Sequence, residues 1–195
     1  MKNQRQLWIL AGANGAGKST FYRLFLKSRG IKLINADIIA RAINPVNQES
    51  AGYKAMVLAE KIREDLLLQG ISFCFETVFS HPSKIDFIAR AKSLGYHIVL
   101  VYIHLETPEL NEARVHQRVA EGGHDVPAQK IRSRIPRTMK NIAAVLPLID
   151  EARLLDNSLF DAPFRKIAVI ERGALTDAIS PLPGWAKKIL KDSLK

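Results

Sequence analysis

A glycine-rich turn near the start of the chain carries the residues best suited to phosphate chemistry. It follows the apolar segment 7–11 and has the spacing G-x-x-x-x-G-K-[ST], with Gly12, Gly17, Lys18 and Ser19 at the fixed positions. Glycines let successive backbone N–H groups point at phosphate oxygens, and a helix that begins there adds its positive dipole end. In such a turn the lysine reaches the β- and γ-phosphates, and the hydroxyl of Ser19 can bind Mg²⁺. The spacing therefore predicts a nucleoside triphosphate site.

The predicted nucleotide site takes in the whole turn and the first helical residues after it. Its members are Gly12, Ala13, Asn14, Gly15, Ala16, Gly17, Lys18, Ser19 and Thr20. Thr20 falls one position beyond the magnesium-binding hydroxyl and could also contact phosphate. We expect ATP and Mg²⁺ as the ligands. The alternative is a glycine turn that binds nothing.

Two acidic side chains follow predicted strands. Asp37 comes after the strand at 31–35, where it could accept the proton of a substrate hydroxyl during phosphoryl transfer or, alternatively, only cap the helix that starts there. Glu76 and Thr77 come at the end of the strand at 71–76. A carboxylate there can hold the water shell of Mg²⁺ or bind substrate hydroxyls. Alternatively, local backbone or a surface lysine satisfies it.

A basic segment at about 107–141 has the layout of a lid. A helix starts at Pro108 and presents Arg114 and Arg118 on one face, because they lie four residues apart. Glycines at 122–123 break that helix. A second helix, opened by Pro127, presents Lys130 and Arg134 together. We expect this lid to close on the nucleotide and to supply positive charge; the alternative is a solvated basic surface.

Short apolar runs alternate with longer amphipathic segments along the chain. Strands are predicted at 6–11, 31–35, 71–76, 97–105 and 152–157, with a further edge strand in "KIAVIERGAL". Helices are predicted at 17–28, 48–69 and 82–94, and the second of these places Ala55, Leu58, Ala59, Ile62, Leu66 and Leu67 on one face. The order predicts a single α/β domain over 1–195 whose mostly parallel sheet of five or six strands is covered by helices, and the glycine turn makes this the arrangement of a P-loop NTPase.

Composition narrows the class of protein. The formal net charge of +10 is compatible with a nucleic-acid partner, or with basic residues placed around small anionic substrates. Cys74 is the only cysteine, so no internal disulfide can form, and its apolar neighbours favour burial. No apolar run reaches the length needed to cross a bilayer, so we expect no membrane partner and a cytoplasmic location.

The motifs together resemble those of the zeta toxin family of P-loop kinases. The matching segments are "GANGAGKST", "NAD", "FETVFS", "RVAEGGHDVP" and "DNS", in this order from the first strand to about residue 158. Family members characterised as enzymes phosphorylate the 3′-hydroxyl of the sugar in UDP-N-acetylglucosamine. The resemblance thus implies ATP, Mg²⁺, a UDP-sugar or similar small molecule as substrate, and possible control by an antitoxin protein.

The resemblance also implies roles for residues of the turn and of the strand ends. Lys18 corresponds to the phosphate-binding lysine and Ser19 to the Mg²⁺ ligand. Asp37 corresponds to the catalytic base, and Glu76 with Thr77 to the substrate-binding pair.

In the lid, Arg118 matches the first arginine that clamps phosphate. Two residues are candidates for the second clamp: His124, which has the matching spacing to Pro127, and Arg134. Asn157, in "DNS", falls where related kinases approach the adenine.

Two departures from the family pattern stand out. Pro136 is predicted to interrupt and kink the second lid helix, since proline lacks a backbone donor. The region 38–60 leaves little room for a sugar-nucleotide subdomain. The basic lid and the basic C-terminal segment favour a second hypothesis, a nucleoside or nucleic-acid 5′-end kinase, and a non-catalytic ATP-binding interaction module is a third.

Overall fold

A sheet of seven strands is the framework of the protein. The structure, a computed structural model, describes residues 4–123 and 125–191, with the backbone alone for residues 48 and 49. The strands are β1 (Gln6–Ala11), β2 (Lys32–Ile34), β3 (Phe73–Thr77), β4 (His97–His104), β5 (Glu151–Asp156), β6 (Arg165–Glu171) and β7 (Ala174–Ala178). Their order across the sheet is β2-β3-β1-β4-β5-β6-β7.

The first five strands are parallel, and the last two join antiparallel. Pairing of Ala11 with Thr77 and of Ile34 with Phe75 brings the carboxyl ends of β1, β2 and β3 to one edge. The predicted α/β fold is confirmed. The sheet has one strand more than expected because "KIAVIERGAL" forms a hairpin, whose two-residue turn at 172–173 has positive φ at both positions.

Helices connect the strands. They are α1 (Lys18–Phe21), α2 (Ala36–Ile43), α3 (Gln48–Leu68), α4 (Ser83–Ser93), α5 (Pro108–Ala120), α6 (Ala128–Val145) and α7 (Gly184–Leu190). The predicted helix at 17–28 is mixed, because α1 continues as a π-turn at Tyr22–Leu26 and a 3₁₀ turn at Lys27–Arg29. No helix within the described ranges is both long and apolar enough to pass through a bilayer.

Alternating side chains of the strands divide the core into two layers. On one face of the sheet Leu7, Ile9 and Phe75 pack against residues of α3, α4, α6 and α7. On the other face Trp8, Leu10 and Cys74 pack against Phe21 and Leu26 of the segment that follows the glycine turn. Cys74 is fully buried, as expected from its neighbours, and burial raises the pKa of its thiol.

The buried face of α3 differs from its predicted composition. Ala55, Ala59 and Leu66 are buried, but Leu58 is 41% exposed. The buried face of α3 is rotated about the helix axis relative to the predicted one. It includes Arg63, which is only 8% exposed. The apolar pattern could not reveal this position, because a charged side chain is normally assigned to the solvent face.

The predicted interruption of the second lid helix is wrong. α6 runs from Ala128 to Val145 without a break and contains Pro136. Pro136 cannot donate to the carbonyl of Arg132, but it lies on the exposed side of the helix, where water can satisfy that carbonyl. The lid helix therefore keeps its length despite the proline.

A buried histidine closes the carboxyl end of β4. The ring of His104 stacks on Trp185 with centroids 4.4 Å apart, and the Tyr102 hydroxyl lies 3.0 Å from its Nδ1. Burial lowers the pKa of His104 to about 4, although the carboxylate of Asp156 favours the charged form.

We predict that His104 makes folding stability depend on pH. Because its folded pKa lies below the ordinary value of about 6.5, the unfolded chain binds a proton that the native state does not, so stability falls as pH drops from about 6.5 to 4. The loss should reach at most about 3 kcal/mol. Urea unfolding across this range should show a flatter pH slope for His104→Phe, while His116→Phe, at an exposed site, keeps the wild-type slope. Equal slopes for all three proteins would contradict this account.

Candidate functional site

A cleft of about 920 Å³ opens at the edge where the parallel strands end. The glycine turn forms one wall, the segments after β2 and β3 form the second, and α5 and α6 form the third. In an open α/β sheet this edge is where ligands bind. Of the predicted site residues, those that line the cleft are Asn14, Gly15, Gly17, Lys18, Ser19, Thr20, Asp37, Glu76, Thr77, Arg118, Arg134 and Asn157.

The glycine turn packs tightly against the backbone of β4 and α5. At Gly15, where φ is +79°, a Cβ would lie 2.5 Å from the backbone oxygen of Asn111, so only glycine fits between the turn and α5. A Cβ on Gly12 would lie 2.4 Å from the backbone oxygen of Ile103, and Ala16 is buried against the same layer. Gly12 and Ala16 therefore anchor the turn.

Lys18 lies under this turn, with 6% of its surface exposed. Its Nζ donates to the backbone oxygen of Ala13 at 2.9 Å and lies 3.7 Å from Glu76 Oε1. Burial lowers the pKa of Lys18; the carboxylates of Glu76 and Asp37 act in the opposite direction, and Arg118 adds to the lowering. A buried ammonium with so few protein partners is suited to anionic phosphate oxygens.

The carboxylate of Glu76 joins three parts of the site. Its Oε2 accepts from the Ser19 hydroxyl at 2.7 Å and from Asn35 Nδ2 at 2.8 Å, and Oε1 faces Lys18. The ends of β1, β2 and β3 thus meet at a single side chain. The alternative in which Glu76 is satisfied by local backbone or a surface lysine does not match these contacts.

Asn35 caps α2. Its Oδ1 accepts from the backbone N–H of Asp37 at 2.7 Å and of Ile38 at 3.3 Å. The alternative in which Asp37 is the helix cap is therefore wrong: Asp37 lies in the first turn, and its exposed side chain lines the cleft. Asn35 thus holds the backbone of Asp37 through Oδ1 and the carboxylate of Glu76 through Nδ2.

Thr77 lies beside Glu76 on the cleft wall. Its hydroxyl accepts from the backbone N–H of Phe79 at 3.0 Å, which shapes the turn after β3. Phe79 has a positive φ of 63° and is fully buried. The hydroxyl of Thr77 has capacity left to donate to a ligand.

Helices α5 and α6, which form the predicted lid, contact the glycine turn directly. The buried Asn111 of α5 donates to the backbone oxygen of Asn14 at 2.7 Å, and Arg134 of α6 donates to the side-chain oxygen of Asn14 at 3.2 Å. Burial lowers the pKa of Arg134, and Asp37 opposes this shift. Arg132 ties α6 to α5 through two glutamates of that helix.

Arg118, near the end of α5, lines the cleft. The backbone N–H of Gly123 donates to its carbonyl at 2.8 Å, and a Cβ on Gly123 would lie 2.6 Å from the Arg118 side chain. The glycine thus makes room for the arginine. His124, the other predicted clamp residue, lies outside the described residues.

Asn157 braces the glycine turn from the end of β5. Its Nδ2 donates to the backbone oxygen of Ala16 at 2.9 Å, and its Oδ1 accepts from the N–H of Phe164 at 3.2 Å. Arg114 of α5 donates to its backbone oxygen at 2.8 Å. The loop that follows adds a largely apolar wall to the cleft, formed by Leu159, Phe160, Pro163 and Phe164.

The chemistry of the oxygen groups fits a magnesium ion. The Ser19 hydroxyl and the Glu76 carboxylate are hard oxygen donors, and they point at one place next to Lys18. Mg²⁺ usually takes one or two protein oxygens together with phosphate oxygens and water. Among the described residues no three His, Cys, Asp or Glu side chains gather into a metal site, so the donors present suit a nucleotide-bound ion.

The residues that sequence reasoning missed are the asparagines. Asn35 and Asn111 are buried polar side chains that connect segments far apart in sequence. Asn35 precedes the first helical residue after β2, a position where asparagine is a favoured cap, and that signal was present in the sequence. Nothing local marks Asn111, because its partner Asn14 is 97 residues away.

We predict that Gly15→Ala abolishes tight nucleotide binding, because the methyl group would meet the backbone of Asn111 and displace the turn. Gly30→Ala is the matched control: its φ is +71°, but open space surrounds it, so affinity should stay within about twofold while stability falls by roughly 1–2 kcal/mol. Isothermal titration with ATP and Mg²⁺ measures the affinity of both variants, and urea unfolding measures their stability. Equal affinity of Gly15→Ala and wild type would contradict the tight packing.

Comparison with known proteins agrees with the fold. In the crystal structure of AvrRxo1-ORF1:-ORF2 with ATP, one chain superposes with a TM-score of 0.72 at 20% identity, covering 90% of this chain and 61% of that chain. In the PezAT chromosomal toxin–antitoxin system of Streptococcus pneumoniae the TM-score is 0.63 at 17% identity, covering 78% of this chain and 69% of that chain. This chain thus spans about three fifths of the AvrRxo1 chain that it matches.

Sequence comparison gives the family. An uncharacterized protein of Haemophilus influenzae is 33% identical over 138 residues, which are 67% of this chain and 98% of that protein. The family model described as zeta toxin matches residues 1–157, from β1 to the asparagine that braces the glycine turn. The chain therefore belongs to the zeta toxin family of P-loop, kinase-like proteins.

Proposed function

We propose that this protein is an ATP-dependent kinase that transfers the γ-phosphoryl group to a hydroxyl of UDP-N-acetylglucosamine. One observation carries the proposal: Lys18, on the phosphate wall, and Asp37, on the opposite wall, line the same cleft. Phosphoryl transfer requires positive charge around the phosphates and an oriented acceptor hydroxyl. Membership of the zeta toxin family supports the choice of acceptor.

The wall formed by the glycine turn would neutralise the negative charge of the nucleotide's phosphates. Lys18 would donate to the β- and γ-phosphates, and the backbone N–H groups of the turn would cradle them. Arg118 and Arg134 approach from the two lid helices, and both line the cleft. Since charge spreads over the γ-phosphate oxygens during transfer, cations from two helices would stabilise the transition state more than the ground state.

Ser19 and Glu76 would hold Mg²⁺, which when bound offsets charge on the phosphate oxygens. Asn35 keeps Glu76 in place through its 2.8 Å hydrogen bond. The carboxylate is thereby held beside the Ser19 hydroxyl, the other group that would hold the ion. This arrangement favours the metal-binding hypothesis for Glu76, with Thr77 left to contact the acceptor.

Asp37 would act as the base. Its carboxylate would accept the proton of the acceptor hydroxyl as the new O–P bond forms and the bond from the γ-phosphorus to the bridging oxygen breaks, which leaves ADP. The cap by Asn35 fixes the Asp37 backbone, so the carboxylate is presented from a rigid helix start. Preorganisation of this kind lowers the cost of reaching a reactive geometry.

The apolar wall beside Asn157 would accept the adenine. Phe164 lies next to Gly17 and Asn157, and Phe160 is fully exposed at the mouth of the cleft. Aromatic and apolar side chains suit the faces of a nucleobase. Asn157 would also lie near the adenine, as the resemblance to related kinases implies for its loop.

An antitoxin protein is the proposed partner. The PezAT neighbour is described as a toxin–antitoxin system, and the AvrRxo1 neighbour as a complex of two proteins. A partner that covers the cleft would block nucleotide or acceptor. The third hypothesis, a non-catalytic ATP-binding module, predicts such a complex without phosphoryl transfer.

A nucleoside or nucleic-acid 5′-end kinase is the second candidate function. The net charge of +10 favours it, because lysines and arginines attract a polyanionic acceptor. An acceptor panel of UDP-N-acetylglucosamine, a nucleoside and a 5′-hydroxyl oligonucleotide separates the candidates. Salt-sensitive transfer to the oligonucleotide alone would replace the leading proposal.

We predict that Asp37→Asn lowers kcat for transfer to UDP-N-acetylglucosamine by about 10²–10⁴-fold with little change in the KM for ATP, since a general base contributes this much. The control Asp65→Asn removes an exposed carboxylate of α3 and should retain full activity. Mass spectrometry of the acceptor provides the readout. No transfer by the wild type to any member of the panel would defeat the proposal.

We predict that Arg134, rather than His124, is the second phosphate clamp. Arg134→Met should lower kcat at least about 10²-fold, because a cation on the transferring group is lost. Arg137→Met is the matched control: Arg137 lies on the same helix but turns back to the backbone of Ser133. Steady-state kinetics of these variants and of His124→Ala decide between the residues; a large loss in His124→Ala alone would assign the clamp to the histidine.

A further inference from the structure

Arg63 of α3 is a buried cation outside the contacts described above. Only 8% of its surface is exposed, and its guanidinium lies over the rings of Phe75 and Phe87, 5.4 and 5.9 Å from their centroids. Arg63 forms no hydrogen bond and no ion pair within 4 Å to any residue of 4–123 or 125–191, and its Nε is fully buried. Five donors thus lack a protein acceptor.

The neighbouring carboxylates do not compensate for this burial. Glu64 is paired with Arg90 at 2.7 Å, and Glu60 is exposed and attracts Arg63 from beyond ion-pair distance. Contact with two aromatic rings offsets roughly 1–2 kcal/mol, whereas burying a charge costs several kcal/mol. Buried polar groups in proteins normally have partners, so the buried Nε indicates an acceptor that the described residues do not provide.

A second cation lies on α4, one helical turn before Phe87, whose ring Arg63 covers. Lys84 lies in the first turn of α4, is half-buried, and forms no ion pair with a described residue. Burial and then the charge of Arg63 lower its pKa, while Glu60 opposes this. The start of α4 adds its positive dipole end, because Pro82 at the cap provides no side-chain acceptor. The exposed Asp86 is the one acidic residue in that turn.

Arg63 lies close to the acceptor side of the cleft. Phe75 and Thr77 are alternate residues of β3, so their side chains leave the same face of the sheet about 7 Å apart. Thr77 lines the cleft, and Arg63 covers Phe75. A ligand that reaches Thr77 is therefore within about one strand step of the guanidinium.

We propose that Arg63 and Lys84 form an anion-binding subsite that holds a phosphate or carboxylate group of the phosphoryl acceptor. This inference rests on the proposed kinase function, because it assigns a role in binding the phosphoryl acceptor. A guanidinium binds either group through two parallel N–H donors, and the ammonium of Lys84 adds a second charge. The subsite would select an anionic acceptor and orient its hydroxyl toward Asp37.

A direct test follows the ¹⁵Nε–¹Hε resonance of Arg63, assigned by its loss in Arg63→Lys. With the glycine turn saturated by a non-hydrolysable ATP analogue and Mg²⁺, inorganic phosphate or acetate is titrated at constant ionic strength. We expect a saturable shift with one of the two anions, which also identifies the preferred group. The Nε resonance of Arg137, engaged with the Ser133 backbone, is the internal control. No saturable shift with either anion would overturn the proposal.

A second test uses acceptor kinetics. Arg63→Met keeps the apolar stem over the phenyl rings and should raise the KM for the acceptor about tenfold or more, with the KM for ATP within twofold, because a charge-assisted contact is lost. Arg63→Lys should recover part of the affinity. Lys61→Met, an exposed site on the same helix, should match the wild type.

The two tests separate this inference from the proposed function. If the wild type phosphorylates no acceptor, the kinase proposal fails, and the resonance titration still decides the subsite. If transfer occurs while Arg63→Met leaves both KM values unchanged, the subsite is wrong and the kinase function stands.

Discussion

The carboxylate of Glu76 is the contact on which the rest of the site depends. It accepts from Ser19 and Asn35 and faces the ammonium of Lys18, so it joins the ends of three parallel strands. Without this carboxylate the buried Lys18 would lose the largest electrostatic compensation for its desolvation. The sheet register, which pairs Leu10 with Glu76, makes the contact possible.

Around this junction the chain builds rigidity through asparagines. Asn35 fixes the start of α2, Asn111 fixes the glycine turn to α5, and Asn157 fixes it to the end of β5. Each uses backbone oxygens or N–H groups as partners. The side chains proposed for chemistry, Lys18 and Asp37, are consequently carried by backbone that is held on both sides. Helix α6 differs in this respect, because Arg134 reaches the turn through a contact between two side chains.

Local patterns predicted the parts of the molecule that are determined locally. The glycine turn has a fixed spacing because backbone N–H groups must converge on phosphate, and the strands before and after it are continuous apolar runs. The order of the elements then predicted the α/β fold. The second strand of the β6–β7 hairpin was missed because its exposed residues lack alternation.

The remaining features depend on contacts between distant segments. The choice of Asn35 over Asp37 as the cap is linked to Glu76, 41 residues away. The burial of Arg63 depends on rings from β3 and α4, and no helical periodicity assigns a charged residue to that position. The continuity of α6 through Pro136 depends on the exposure of that side of the helix.

A crystal structure with a non-hydrolysable ATP analogue and Mg²⁺ tests the central claim most directly. The account predicts that Lys18 contacts the β- and γ-phosphates, that Ser19 and Glu76 lie at the metal, and that the Asp37 carboxylate faces the γ-phosphate across a gap the width of one hydroxyl. A nucleotide bound away from the glycine turn, or an Asp37 side chain directed away from the terminal phosphate, would contradict it.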